Sequence, residues 1–155
     1  MNNRTKFDPE RFKRIIRTIL LSGDIRIPMH IQMQLDAMGH DPKKNPYNGH
    51  CAQATVAAWV LGKELYGQQF NFKAFHSPDN WHYWLAKDVQ GKPLKKDALD
   101  LTEHQTDGDF DYADRKPARW ITRKKSRGDL AGMKRLKDAV KIYDLAKIQL
   151  LEDSQ

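Results

Sequence analysis

A single cysteine in 155 residues, Cys51, leaves no internal partner for a disulfide, so the folded monomer depends on packing rather than cross-links. No stretch approaches the ~20 apolar residues of a membrane span. C-x-x-C and H-x-x-x-H pairs are both missing, and structural zinc needs four such ligands, so no metal is expected. No segment repeats, and none is of low complexity. The opening "MNNRTKFDPERFKR" lacks the apolar core of a secretory signal, which makes the cytoplasm the expected location and excludes a membrane partner. No cofactor motif is visible.

What remains is a chain large enough for one packed core, with 39% hydrophobic and 30% charged residues. The net charge of +7 is unevenly spread. Residues 97–114 carry seven acidic side chains and no Lys or Arg, whereas 115–147 carry twelve basic side chains against three acidic ones. Arg115, Arg119, Arg123, Lys124 and Lys125 form a candidate surface for an acidic protein or nucleic acid. A solvated helix face is the plainer reading, and no DNA-binding motif accompanies it.

Helical spacing of Phe12, Ile15, Ile16, Ile19 and Leu20, behind Asp8 as cap and Pro9, predicts a first helix that ends at Gly23. A shorter helix after Pro28 uses Ile31, Leu35 and Met38. The turn-rich "GHDPKKNPYNGH" then leads to Cys51. Residues 52–61 are small and apolar, as in a helix buried on most sides, with Gly62 as its stop. The period then changes: "QFNFKAF", "WHYWLAKD" and "DALDLT" alternate as strands, and 81–87 should pair with 98–102 in an antiparallel hairpin. A closing helix runs from Asp129 through Leu130, Met133, Leu136, Val140, Tyr143 and Leu150. The expected class is α+β in a single domain: helices over 8–38, a core over about 46–105, and a basic segment with its helix over 115–151.

A thiol attacks carbonyls as thiolate, and therefore needs a positive environment, a base and donors for the developing oxyanion. Cys51 at a helix N-terminus meets the first need. His82 in "NWHYW" is the candidate base, and Asp100 on the next strand would fix its tautomer. Asp97 is a substitute for Asp100. The Cys51 N–H and the Asn48 side chain are oxyanion candidates. His50 is expected to shape the cleft rather than take the proton, and His30, His76 and His104 show no partner spacing. "TDGDFDYAD" lacks the glycine and glutamate of an EF-hand and reads as an acidic surface loop. Trp59, Trp81, Trp84 and Trp120 are expected as core or cleft walls.

A cysteine opening a buried helix, followed by histidine and aspartate on successive strands, is similar to the papain-like superfamily in its transglutaminase and NlpC/P60 arrangement. More narrowly, "HCAQATVAAWVLGKELYG" and "HYWLAKDVQGKPLKKDALDLTEHQ" resemble the YunG-like family of bacterial and phage proteins over about 49–105. The resemblance implies a papain-like core and a Cys51, His82, Asp100 triad, with Thr102 and Gln105 in support. It implies a small intracellular cysteine hydrolase or acyl-transfer enzyme of protease, amidase or deamidase type, acting on a protein or peptide-like substrate. The alternative is an inactive papain-like binding module that uses the basic C-terminal region.

Overall fold

The computed structural model describes residues 6–41, 43, 46–47, 49–103 and 110–152. The chain is mixed α+β. Helix α1 (Pro9–Leu20) begins where the Asp8 carboxylate accepts the N–H groups of Glu10 and Arg11, and it buries Phe12, Ile15, Ile16, Ile19 and Leu20. Helix α2 (Met29–Ala37) departs from expectation, since Leu35 is its one buried residue and Met38 is 67% exposed. It contributes a rim rather than a core layer.

Helix α3 (Cys51–Tyr66) is the central element, buried along most of its length. It runs through Gly62, contrary to the stop expected there, and ends at Gly67, whose φ of 56° suits glycine. Gly62 has a different role. A Cβ there would lie 2.2 Å from the Phe70 ring, so glycine is what lets Phe70 close against the helix. Phe7, Phe12, Tyr66, Phe70 and Phe72 gather around that contact with edge and tilted ring geometries.

Among the described residues four strands follow in the spatial order β3-β2-β1-β4, all antiparallel. They are β1 (Phe72–His76), β2 (Tyr83–Lys87), β3 (Ala98–Leu99) and β4 (Lys116–Pro117). The expected hairpin exists, with Leu85 opposite Leu99 and Ala86 opposite Ala98, but it is shorter than 81–87 with 98–102. His82 stands just before β2. Asp100 stands just after β3, where its carboxylate accepts the Thr102 N–H at 3.2 Å and turns the chain away from the ladder.

The sheet is covered on both faces. Phe72, Ala74, Leu85 and Leu99 face α3 and join the main core. Phe75, Trp84 and Ala86 face the other way and pack with Tyr112 and Phe110 in a smaller cluster. The closing helix is two helices, α5 (Arg127–Ala131) and α6 (Ala139–Glu152), preceded by the short α4 (Arg119–Thr122). Ser126 caps α5 by accepting the Asp129 N–H. The main core runs from Phe12 to Leu150, tying both ends of the chain to α3. No helix among the described residues is long and apolar enough to cross a membrane.

Candidate active site

Cys51 is the first residue of α3. The His50 side chain does not cap this helix, and the Ala54 N–H donates to the His50 carbonyl at 2.9 Å. Among the described residues the helical N–H groups ahead of it, that of Cys51 included, meet no partner, and the positive end of the dipole lies behind them. Cys51 is 8% exposed, and its thiol donates to the Trp81 carbonyl at 3.4 Å.

His82 and Asp100 reach the same place from the sheet. His82 Nε2–H donates to Asp100 Oδ2 at 2.6 Å, and the imidazole lies near enough to Cys51 for the thiol to help raise its pKa. With Nε2 committed to the carboxylate, Nδ1 is the nitrogen left for sulfur. This is the reverse of the serine triad, in which Nε2 faces the nucleophile. Burial alone would lower the His82 pKa. The hydrogen bond to Asp100, the nearby Cys51 and the charges of both outweigh it and push it up to about 10. The ring also stacks on the face of Trp84 (5.5 Å, 24°), which favours a cation, and meets Phe110 in a T-shaped contact (4.9 Å, 75°).

Asp100 is 2% exposed and satisfied from three directions. Besides His82, Oδ2 accepts the Tyr112 hydroxyl at 2.9 Å, and Oδ1 accepts the Thr102 N–H. Thr102 thus acts through its backbone; its Oγ1 is buried with no partner among the described residues. Asp97, the alternative to Asp100, instead accepts the Leu94 N–H in an exposed turn. Asn48, Gln105 and His104 lie outside the described residues. Tyr112 and Phe110 lie in a stretch whose composition predicts an acidic surface loop, which hides them from the sequence pattern. The alternation of aromatic and acidic residues in "FDYAD" was the available signal.

His50 is 4% exposed and accepts from Gln53 Nε2 through Nδ1 at 3.0 Å, while the same amide donates to the Arg26 carbonyl. Burial pushes its pKa down to about 4, with Asp138 opposing. It is therefore a neutral structural group. A tight loop carries the chain from β1 to His82: the Ser77 N–H donates to the His82 carbonyl, the His82 N–H donates to Ser77 Oγ, and Asp79 accepts from Ser77 Oγ and the Trp81 N–H. Asn80 within it has a φ of 63°, a conformation asparagine tolerates better than most residues.

A cleft of about 400 Å³ opens beside Cys51. Its walls include Trp81, Tyr83 and Trp120, with Ile31 from α2 and Arg135 from the link between α5 and α6. Trp81 and Trp120 are thus cleft walls, Trp84 is core, and Trp59 donates its indole N–H to the Lys124 carbonyl. Arg119, Arg123 and Lys125 are exposed and Lys124 half-buried, all on or next to α4. Arg115 is elsewhere, its guanidinium lying 3.7 Å over the Phe75 ring. Among the described residues, no group of three His, Cys, Asp or Glu side chains is arranged to hold a metal ion.

No family model, curated protein or solved structure matches the chain.

Proposed function

We propose that the protein is a cysteine hydrolase or acyl-transfer enzyme with a papain-like core, acting on an amide or thioester carbonyl. The observation that carries this reading is the Cys51, His82 and Asp100 arrangement, drawn from three separate segments, with an imidazole whose cationic form is favoured beside the thiol. The Cys51 thiolate attacks the carbonyl carbon, a C–S bond forms, and the carbonyl π pair moves to oxygen. The oxygen's pair then re-forms the C=O as the leaving group departs with a proton from His82. Water or another nucleophile attacks the thioester, gives its proton to His82, and releases Cys51 as thiolate. Asp100 holds the imidazole in one orientation throughout.

The test is alkylation of Cys51 by iodoacetamide, read by intact mass at about pH 6, where an ordinary thiol is almost wholly protonated and slow. Rapid alkylation that falls tenfold or more in His82→Ala is the expected result. Equal rates in the two proteins, or a thiol that reacts only on unfolding, defeat the proposal.

A second reading, a binding module for an acidic partner, is favoured by one observation. The exposed Arg119, Arg123 and Lys125 flank Trp120, which lines the cleft. It predicts that charge reversal at Arg123, Lys124 and Lys125 abolishes partner binding while Cys51→Ala leaves it intact.

A further inference from the structure

The cleft beside Cys51 contains a hydroxyl that the triad does not use. Tyr83 opens β2 half-buried, and it lines the same cleft as Cys51 and Trp120. The Trp120 indole lies against the Tyr83 ring, with 5.6 Å between centroids. An indole nitrogen donates and cannot accept, so Trp120 cannot take the phenol proton. Among the described residues that proton meets no acceptor, and the direction left to it is the cleft.

The ring is held in place from several sides. Thr55, one helical turn along α3 from Cys51, donates Oγ1–H to the Tyr83 carbonyl at 3.3 Å. Trp120 meets the ring edge-on at 5.6 Å and 74°, and His76 lies tilted at 5.6 Å. Burial raises the phenol pKa above its ordinary value, Trp120 opposes this, and the charge of Cys51 adds to the rise. The group therefore keeps its proton at neutral pH, and it lies near enough to sulfur to sense its charge.

We infer that Tyr83 donates a hydrogen bond to the carbonyl oxygen of the group that Cys51 attacks, completing an oxyanion site with the Cys51 N–H. The inference rests on the proposed function. As the C–S bond forms and the π pair moves to oxygen, the Tyr83 O–H and the Cys51 N–H stabilise the negative charge. The phenol proton stays on Tyr83 throughout, and the leaving group's proton comes from His82. Trp120 is a positioning residue: its edge-on contact holds the phenol ring so that the O–H faces the substrate.

Two probes of Cys51 separate this role from a structural one. Iodoacetamide is attacked at a saturated carbon and develops no oxyanion, whereas p-nitrophenyl acetate acylates sulfur through a tetrahedral oxyanion. In the full chain, Tyr83→Phe should slow acylation by about 10²-fold, the loss typical of one oxyanion donor, and leave alkylation within about twofold of wild type. Trp120→Phe should slow acylation by a smaller factor, again with alkylation unchanged. Equal slowing of both probes by Tyr83→Phe would show a packing role and overturn the inference, and so would acylation at the wild-type rate. A wild-type protein that is alkylated but never acylated would instead bring down the hydrolase proposal itself.

Discussion

The Tyr112 hydroxyl and the His82 imidazole meet on one oxygen of Asp100, at 2.9 and 2.6 Å, in a pocket that leaves the carboxylate 2% exposed. A residue from the acidic stretch thereby holds the partner of the candidate base. Hydrogen bonds to a buried charge are worth about 1.5–3 kcal/mol.

Tyr112→Phe is expected to lower stability by about 1–3 kcal/mol in urea denaturation, with a modest loss of Cys51 alkylation at neutral pH. Asp100→Asn should be far more damaging to that alkylation, because the amide removes the charge that favours the imidazolium and permits the wrong tautomer. A Tyr112→Phe protein as stable as wild type would place the hydroxyl outside the network.

His82 and His50 are shifted in opposite directions, and each leaves its mark on a different side of neutrality. His82 is lifted to about 10, so its stabilising contribution is complete below an unfolded value of about 6.5 and is lost as pH rises through about 10. His50 is pushed down to about 4 by burial, so its contribution is complete above about 6.5 and is lost as pH falls through about 4. Urea midpoints measured across pH should decline on both sides. His82→Gln should flatten the alkaline decline and His50→Gln the acidic one. An alkaline decline unchanged in His82→Gln would refute the assignment.

Gly62→Ala adds a methyl 2.2 Å from the Phe70 ring in a helix that would otherwise gain from alanine. Overpacking costs about 1–3 kcal/mol, against about 1 kcal/mol of improved helix propensity, so net destabilisation is expected. Combining it with Phe70→Leu should cost less than the sum of the single changes, as a urea double-mutant cycle would report.

Asn80 at φ 63° sets the loop that presents the Trp81 carbonyl to sulfur. Asn80→Gly should be close to neutral, and Asn80→Val should cost about 1–2 kcal/mol, since a β-branched residue resists that conformation. Thermal melts of the two variants, compared with wild type, would decide the matter.

The sequence exposed the parts of the site that depend on short range. Cys51 before an apolar helical run, and His82 and Asp100 flanking alternating segments, could be read locally, as could α1 from its cap and its period. What escaped depends on contacts distant in sequence. Nothing near Gly62 announces that Phe70 will fold back onto it. β4 has two residues, one of them Pro117, too few for any period and placed at the sheet edge, where proline is tolerated. The acidic residues around Phe110 and Tyr112 gave that stretch the composition of a surface loop, although both rings pack against Trp84. The closing segment kept a helical period across a real break, because Leu136 is buried from the link between α5 and α6.

Adjacent residues of an extended chain look to opposite sides, and this sorts the two halves of the chemistry around β2. His82 lies with Trp84, Phe110 and Asp100, while its neighbour Tyr83 faces the cleft. The histidine–carboxylate pair and the cleft-facing phenol thus leave the chain in opposite directions from adjacent positions. A slip of one residue in the β1–β2 pairing would exchange the two faces and part both groups from their neighbours. The ladder from Phe72 with Lys87 to His76 with Tyr83 is in this sense an alignment device, and its fidelity sets which ring meets Asp100 and which meets the cleft.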